Sequence, residues 1–155
     1  PVCASLPNIV RRGDGGVLRF VTSQRQFPPG LFEMPSILII DDEEQVRRML
    51  GEMFRRAGYD VRAACDGREG CAMCRAQRPD LVITDLIMPD QEGIETIIAL
   101  RKDYPDLKIL AISGGGKSDP EDYLDLAQSL GADRTLAKPF ARHEILRVAS
   151  DLIGA

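Results

Sequence analysis

The sequence has no long apolar run, so no segment reads as a transmembrane helix. It has a single histidine, His143. The C-x-x-C formed by Cys71 and Cys74 therefore lacks the second ligand pair that a zinc site needs, and it falls inside a helical stretch rather than at a strand-to-helix turn. These cysteines, with Cys3 and Cys65, read as small apolar residues of a cytosolic protein. The chain also lacks a positive excess. Its net charge of -4 argues against a nucleic-acid or anionic-membrane binder. Residues 1–33 carry no compact apolar core followed by a small-residue cleavage site, which argues against a secretory signal. What remains is a chain of 155 residues with ordinary composition, long enough for one domain with a substantial core.

The composition shifts near residue 34. Residues 1–33 hold four arginines against two acids and are punctuated by Gly13, Gly15, Gly16, Pro28, Pro29 and Gly30. Only VLRFV (17–21) resembles a strand there, and the segment reads as a disordered or weakly ordered extension. From residue 36 the pattern alternates. Apolar runs at 36–40, 59–64, 81–84, 107–112 and 134–137 read as strands. Stretches with helical spacing fall at 43–57, 67–78, 92–103, 120–131 and 141–153. On the first of these, Val46, Met49, Leu50, Met53 and Phe54 share one face. Gly58 reads as its stop, and Pro120 and Gly131 bracket the fourth. Five strand–helix repeats predict a parallel α/β sheet covered on both faces, with right-handed crossovers.

Four of the five strands run into a polar residue at their C-terminal end. These are Asp41 and Asp42, then Asp85, then Ser113, then Lys138. In a parallel sheet such ends share one edge, where open α/β sheets bind ligands. If the first and third strands are neighbours, their tips lie about 5 Å apart and three carboxylates converge. Ionised together they repel, unless a hard cation bridges them. Mg²⁺ suits oxygen ligands of this kind. Lys138 adds a positive charge, Ser113 a hydroxyl, and Gly114 to Gly116 a backbone that an anion can approach closely. Together they make a site for a phosphoryl group on Asp85. Glu43 and Glu44 read as helix-capping acids only, Lys117 as solvated and His143 as a surface residue.

In this order, IIDDEE (39–44), VITDLIMPDQEG (82–93), ILAISGGG (109–116) and LAKPF (136–140) resemble the receiver domain of two-component response regulators. The resemblance covers residues 36–153 and assigns residues 34–155 to that domain. It implies a flavodoxin-like, doubly wound, five-stranded parallel sheet of order 2-1-3-4-5. It implies Asp85 as phospho-acceptor. Mg²⁺ would be held by Asp42, by Asp85, by the Ile87 carbonyl and, through water, by Asp41. Lys138 would pair with the phosphoryl oxygens and precede a cis Pro139. Ser113 would bond the phosphoryl group, with backbone donors at Ile87 and Gly114. Where many receivers carry an aromatic switch residue, this chain has Thr135, so Ser113 and Thr135 are the expected switch pair, and a smaller, hydroxyl-based change replaces a ring swing.

The function so implied is a stand-alone, cytoplasmic response regulator, not an enzyme beyond its own aspartyl phosphorylation and dephosphorylation. Its partners would be a histidine kinase or phosphotransfer protein and an unidentified downstream protein, with no nucleic acid and no membrane. Three alternatives stay open: a receiver cut from a hybrid kinase or longer regulator, a phosphatase with an aspartyl nucleophile, and an interaction module that is never phosphorylated. Met34, directly before the first strand, is expected to be the natural start, with the leader a non-native addition. N-terminal sequencing of the native protein checks this; a chain beginning upstream of Met34 overturns it.

Overall fold

The computed structural model describes residues 34–88, 92–114 and 120–154. The readings made for residues 1–33, Pro89 and Gly115 to Lys117 lie outside these. The elements alternate without exception: β1 (Ser36–Ile40), α1 (Glu44–Arg56), β2 (Asp60–Ala64), α2 (Gly67–Ala76), β3 (Leu81–Asp85), α3 (Glu92–Asp103), β4 (Lys108–Ser113), α4 (Pro120–Ser129), β5 (Arg134–Ala137) and α5 (Arg142–Ile153). All four strand pairings are parallel, in the order β2-β1-β3-β4-β5. This is the flavodoxin-like order that the resemblance implied.

Side chains alternate across a strand, and here both faces are apolar. Ile37 and Ile39 of β1 join Ile83 and Ile112 in a layer with Leu50 and Phe54 of α1 and Ile145 and Ala149 of α5. Leu38 and Ile40 join Val82 and Ala111 in the opposite layer, with Cys74 of α2, Ile97 and Leu100 of α3, and Ala127 of α4. Phe54 is fully buried and meets the Tyr59 ring edge-on at 5.6 Å. Each such side chain contributes roughly 1.5–3 kcal/mol through burial.

Met49 departs from the expected apolar face of α1, and an isoleucine of α3 is likewise exposed. Met49 on α1 is 50% exposed and Ile98 on α3 is 47% exposed. Each sits one position from a fully buried residue, Leu50 and Ile97. A step of one residue turns about 100° around a helix, which carries both to the edge of the apolar stripe. The cysteines also divide: Cys74 is buried, Cys71 intermediate and Cys65 exposed. Burial pushes the Cys74 thiol up to about 11, which makes it an unreactive core residue.

Local chemistry sets the boundaries. The Asp66 side chain accepts from the Glu69 amide at 2.7 Å and starts α2, while Glu69 reaches back to the Cys65 amide at 2.7 Å. Gly58, at φ +92, ends the α1 region in a conformation that glycine adopts without strain.

At the opposite end of the sheet, Arg101 of α3 donates to the carbonyls of Gly131, Pro105 and Leu107 and to the Asp133 carboxylate. This clasp ties α3 to the links that enter β4 and β5. Arg101→Met is expected to lower stability by about 2–3 kcal/mol, because it strands several part-buried carbonyls and leaves Asp133 with only the Ile109 amide and Lys108. Urea unfolding checks this, and a change under 0.5 kcal/mol contradicts it.

Candidate functional site

β1 and β3 are direct neighbours, with Ile40 opposite Thr84. Their parallel alignment places the residues just beyond them at one edge. One carboxylate oxygen from each of Asp41, Asp42 and Asp85 lies within 4.8 Å of the others. Asp41 is fully buried and Asp85 nearly so, while Asp42 is exposed. The cluster thus has a closed floor and one acid open to solvent.

Lys138 follows β5 and reaches back across β4 into this cluster. Its Nζ lies 3.2 Å from Asp41 Oδ2 and 3.3 Å from Asp85 Oδ2. Its own amide donates to the Ser113 carbonyl at 2.6 Å, and the Lys138–Pro139 bond is cis. Gly114 makes room for this reach. A β-carbon at residue 114 would stand 3.1 Å from Lys138 Cδ and 3.5 Å from its Cβ. The sequence suggested that Gly114 admits an anion; the structure shows that it also admits the lysine stem.

The loop after β3 is held against the sheet. The Leu86 amide donates to the Ile112 carbonyl at 2.9 Å and to Asp85 Oδ1 at 2.9 Å. The second bond orients the carboxylate, while Oδ2 faces Lys138. Gly93 lies inside α3. A β-carbon there would overlap the Asp85 carbonyl oxygen and the Leu86 Cα, so glycine allows α3 to start directly against this loop.

The electrostatics are unbalanced. Burial pushes the Asp85 carboxyl above its ordinary value; Lys138 pulls it back and Asp41 adds to the rise. Burial works against the Lys138 ammonium, but Asp85 and Asp41 outweigh it and its pKa is raised. One ammonium shared between two buried carboxylates leaves negative charge in excess. Adding Asp42 at the mouth makes a donor set of three hard oxygens, which suits a divalent cation such as Mg²⁺.

Ser113 ends β4 next to Lys138 and is fully buried. Among the described residues its Oγ has no hydrogen-bond partner. A buried hydroxyl without a partner costs free energy, and a phosphoryl oxygen would satisfy it. Ile87 sits in the loop after Asp85 with its side chain 37% exposed. Thr135 lies lower on β5, opposite Ala111, two residues before the end of β4. His143 is exposed on α5.

One contributor escaped the sequence reading. Arg47 of α1 donates from Nη1 to the carbonyls of Asp41 at 2.6 Å and Asp42 at 2.8 Å. A signal did exist, since helical side chains lean toward the N-terminus and a long one in the first turn can reach the preceding loop. Two concavities of about 530 and 540 Å³ lie away from the carboxylates. One is at the N-terminal edge of the sheet around Ser36, Asp60 and Asp80, and the other lies between α2 and α3 around Cys71 and Thr96.

The family model of the response regulator receiver domain matches residues 37–150. Among curated proteins, the chain is 36% identical over 109 residues to the alkaline phosphatase synthesis transcriptional regulatory protein PhoP of Bacillus subtilis. That match covers 70% of this chain and 44% of PhoP. It is 32% identical over 111 residues to the probable transcriptional regulatory protein TcrX of Mycobacterium tuberculosis, covering 72% and 46%. The chain therefore spans less than half the length of these relatives. Among solved structures, it resembles the chemotaxis protein CheY4 of Vibrio cholerae (TM-score 0.69, 31% identity, 77% of this chain and 98% of CheY4). It also resembles the receiver domain of NtrX from Brucella abortus (TM-score 0.71, 26% identity, 77% and 98%). The convergence of strand-end acids, serine and lysine on one sheet edge thus has its counterpart in a known family: the chain belongs to the response regulator receiver domains.

Proposed function

We propose that this receiver is a phosphorylation switch whose acceptor is Asp85. The observation that carries the reading is the unpartnered, fully buried Ser113 Oγ beside an ion cluster with excess negative charge. Such a site is costly unless a ligand completes it. Asp42, Asp85 and the Ile87 carbonyl would hold Mg²⁺, with Asp41 acting through water. When bound, the cation would neutralise charge on the transferring phosphoryl oxygens.

The remaining steps belong to the chain. A carboxylate oxygen of Asp85, held in place by the Leu86 amide, attacks the phosphorus of a phosphohistidine on a partner kinase or phosphotransfer protein. The P–N bond breaks, the imidazole leaves with its electron pair, and an acyl phosphate forms. A small acyl phosphate serves the same role as donor. The phosphoryl group brings about −1.5 to −2 of charge. Lys138 turns from the two carboxylates toward it, the Ser113 hydroxyl donates to it, and the amides of Ile87 and Gly114 add further donors. Ser113 and Lys138 are attached to β4 and β5, so their movement shifts a pre-existing equilibrium of the α4–β5–α5 face, with Thr135 as the hydroxyl-bearing switch position. Water later attacks the acyl phosphate and restores Asp85.

Asp85, rather than the end of β1, is placed as the nucleophile, which sets the site apart from phosphatases with a D-x-D nucleophile on the first strand. The likeness to CheY4, nearly all of whose chain is covered, favours a stand-alone regulator acting through protein contacts in the cytoplasm. The greater length of PhoP and TcrX favours the second reading, a receiver within a longer regulator. Both relatives are named as transcriptional regulators, so the charge of this chain excludes no nucleic-acid partner for a longer protein that carries it. Among the described residues, no helix is long and apolar enough to cross a membrane.

Incubation with acetyl phosphate is expected to give an alkali-labile phosphoryl adduct by intact mass. The adduct should require Mg²⁺, map to Asp85 and disappear in Asp85→Asn. Labelling of that variant at the wild-type level contradicts the assignment.

The buried acid also predicts a stability effect. The folded pKa of Asp85 is raised above the ordinary value of 3.8. Folding therefore favours its protonated form, and stability from this group falls as pH rises from 3.8 through the folded pKa. At pH 7 without divalent cations, Asp85→Asn should be more stable by about 1 kcal/mol, raising Tm by a few degrees. The gain should shrink as pH falls toward 3.8. Mg²⁺ should raise the Tm of the wild type more than that of the variant. Thermal melts with EDTA or MgCl₂ check this, and equal melting points at pH 7 in EDTA contradict it.

A further inference from the structure

We infer that Arg47 is a positioning residue for the divalent cation: it fixes the directions of the Asp41 and Asp42 carboxylates by holding their main-chain carbonyls. The inference rests on the reading of the acidic cluster as a Mg²⁺ site.

Asp41 and Asp42 lie in the short link between β1 and α1, beyond the last residue paired in the sheet. Two contacts restrain Asp41 from the sheet and loop side. Its amide donates to the Ala64 carbonyl at 3.3 Å, and its Oδ1 accepts from the Glu43 amide at 2.9 Å. Glu43 makes no side-chain cap at the start of α1. Lys138 holds Asp41 Oδ2 at 3.2 Å, and Arg47 adds a restraint on the main chain. A single nitrogen, Nη1, donates to both successive carbonyls, at 2.6 and 2.8 Å. Fixing two consecutive carbonyls fixes the peptide planes around Asp42 and therefore the direction of its Cα–Cβ bond. The exposed Asp42 needs this most, since the Lys138 ion pairs hold only the two buried acids.

Mg²⁺ demands near-ideal octahedral geometry at about 2.0–2.1 Å. A carboxylate displaced by a few tenths of an ångström no longer fits. The arginine also has an opposing effect, because its positive charge repels a cation. The two effects predict opposite changes on removal. If charge dominates, Mg²⁺ binds more tightly without Arg47. If positioning dominates, it binds more weakly. The 2.6 Å contact, short for an N–H donor, favours positioning.

Two variants separate these effects. Arg47→Lys keeps the charge, but its ammonium falls about one bond short of Nη1 and cannot span both carbonyls. Arg47→Met keeps the apolar stem and removes the charge. The full chain is titrated with MgCl₂, and binding is followed through the backbone amide shifts of Leu86 and Gly114. The phosphorylation rate with acetyl phosphate is then measured at saturating Mg²⁺. Both variants are expected to raise the Mg²⁺ Kd roughly tenfold, the range seen when supports of metal ligands are removed. The rate at saturating Mg²⁺ should stay within about twofold of wild type, because Asp85, Lys138 and Ser113 are untouched.

An unchanged Kd in both variants, even with a lowered melting temperature, would assign Arg47 to stability alone and overturn the inference. Tighter binding in Arg47→Met would overturn it in favour of charge repulsion. A wild-type chain that does not respond to MgCl₂ at all would instead remove the reading on which the inference rests.

Discussion

The ion cluster of Asp41, Lys138 and Asp85 is the constraint on which the rest of the structure depends. Two carboxylates are taken out of water at the ends of β1 and β3, and one ammonium from beyond β5 lies within 3.3 Å of both. Desolvation opposes this arrangement, and a single cation cannot compensate two acids. The fold tolerates it because both faces of the sheet are densely apolar. Stability arises in the two core layers, and the strand-end edge carries the electrostatic cost. Function and stability thus occupy different ends of the same strands.

That division explains several local features as one design. Gly114 leaves space for the Lys138 stem, and Gly93 lets α3 begin against the Asp85 loop. The Leu86 amide orients the Asp85 carboxylate, and Arg47 ties the carbonyls of Asp41 and Asp42. The opposite edge is closed by the Arg101 clasp. Rigid supports surround a centre with unspent capacity: an excess of negative charge and, among the described residues, one buried hydroxyl with no partner. Under the proposed function, a phosphoryl group with its cation would complete both. Ser113 ends β4 and Lys138 follows the neighbouring β5, so both meet at one edge of the sheet.

Much of this was legible in the residues. The period of the apolar runs marked all ten elements, and boundaries moved by only a residue or two where caps such as Asp66 and Gly58 decided them. The polar residues at strand ends named the site, since an acid, serine or lysine placed after a fully apolar strand has no packing role there. The sequence was less informative about helix edges. Met49 looked like a core residue because the apolar stripe gives position along a helix, not the width of the surface facing it. The need for glycine at position 93 was not legible, because close backbone approach leaves no trace in a one-dimensional pattern.

Residue order alone determined the α/β class, the parallel sheet and the set of chemical groups at its edge, because local periodicity and strand polarity are written into consecutive residues. Only the tertiary structure decided which of those groups face inward. It buried Asp41 and left Asp42 open, placed Lys138 between two acids separated from it by 97 and 53 positions, isolated the Ser113 hydroxyl and brought Arg47 to the carbonyls of the acidic loop. Burial and hydrogen-bond partnership depend on neighbours that are distant in the chain, and the parallel sheet is what brings those neighbours together.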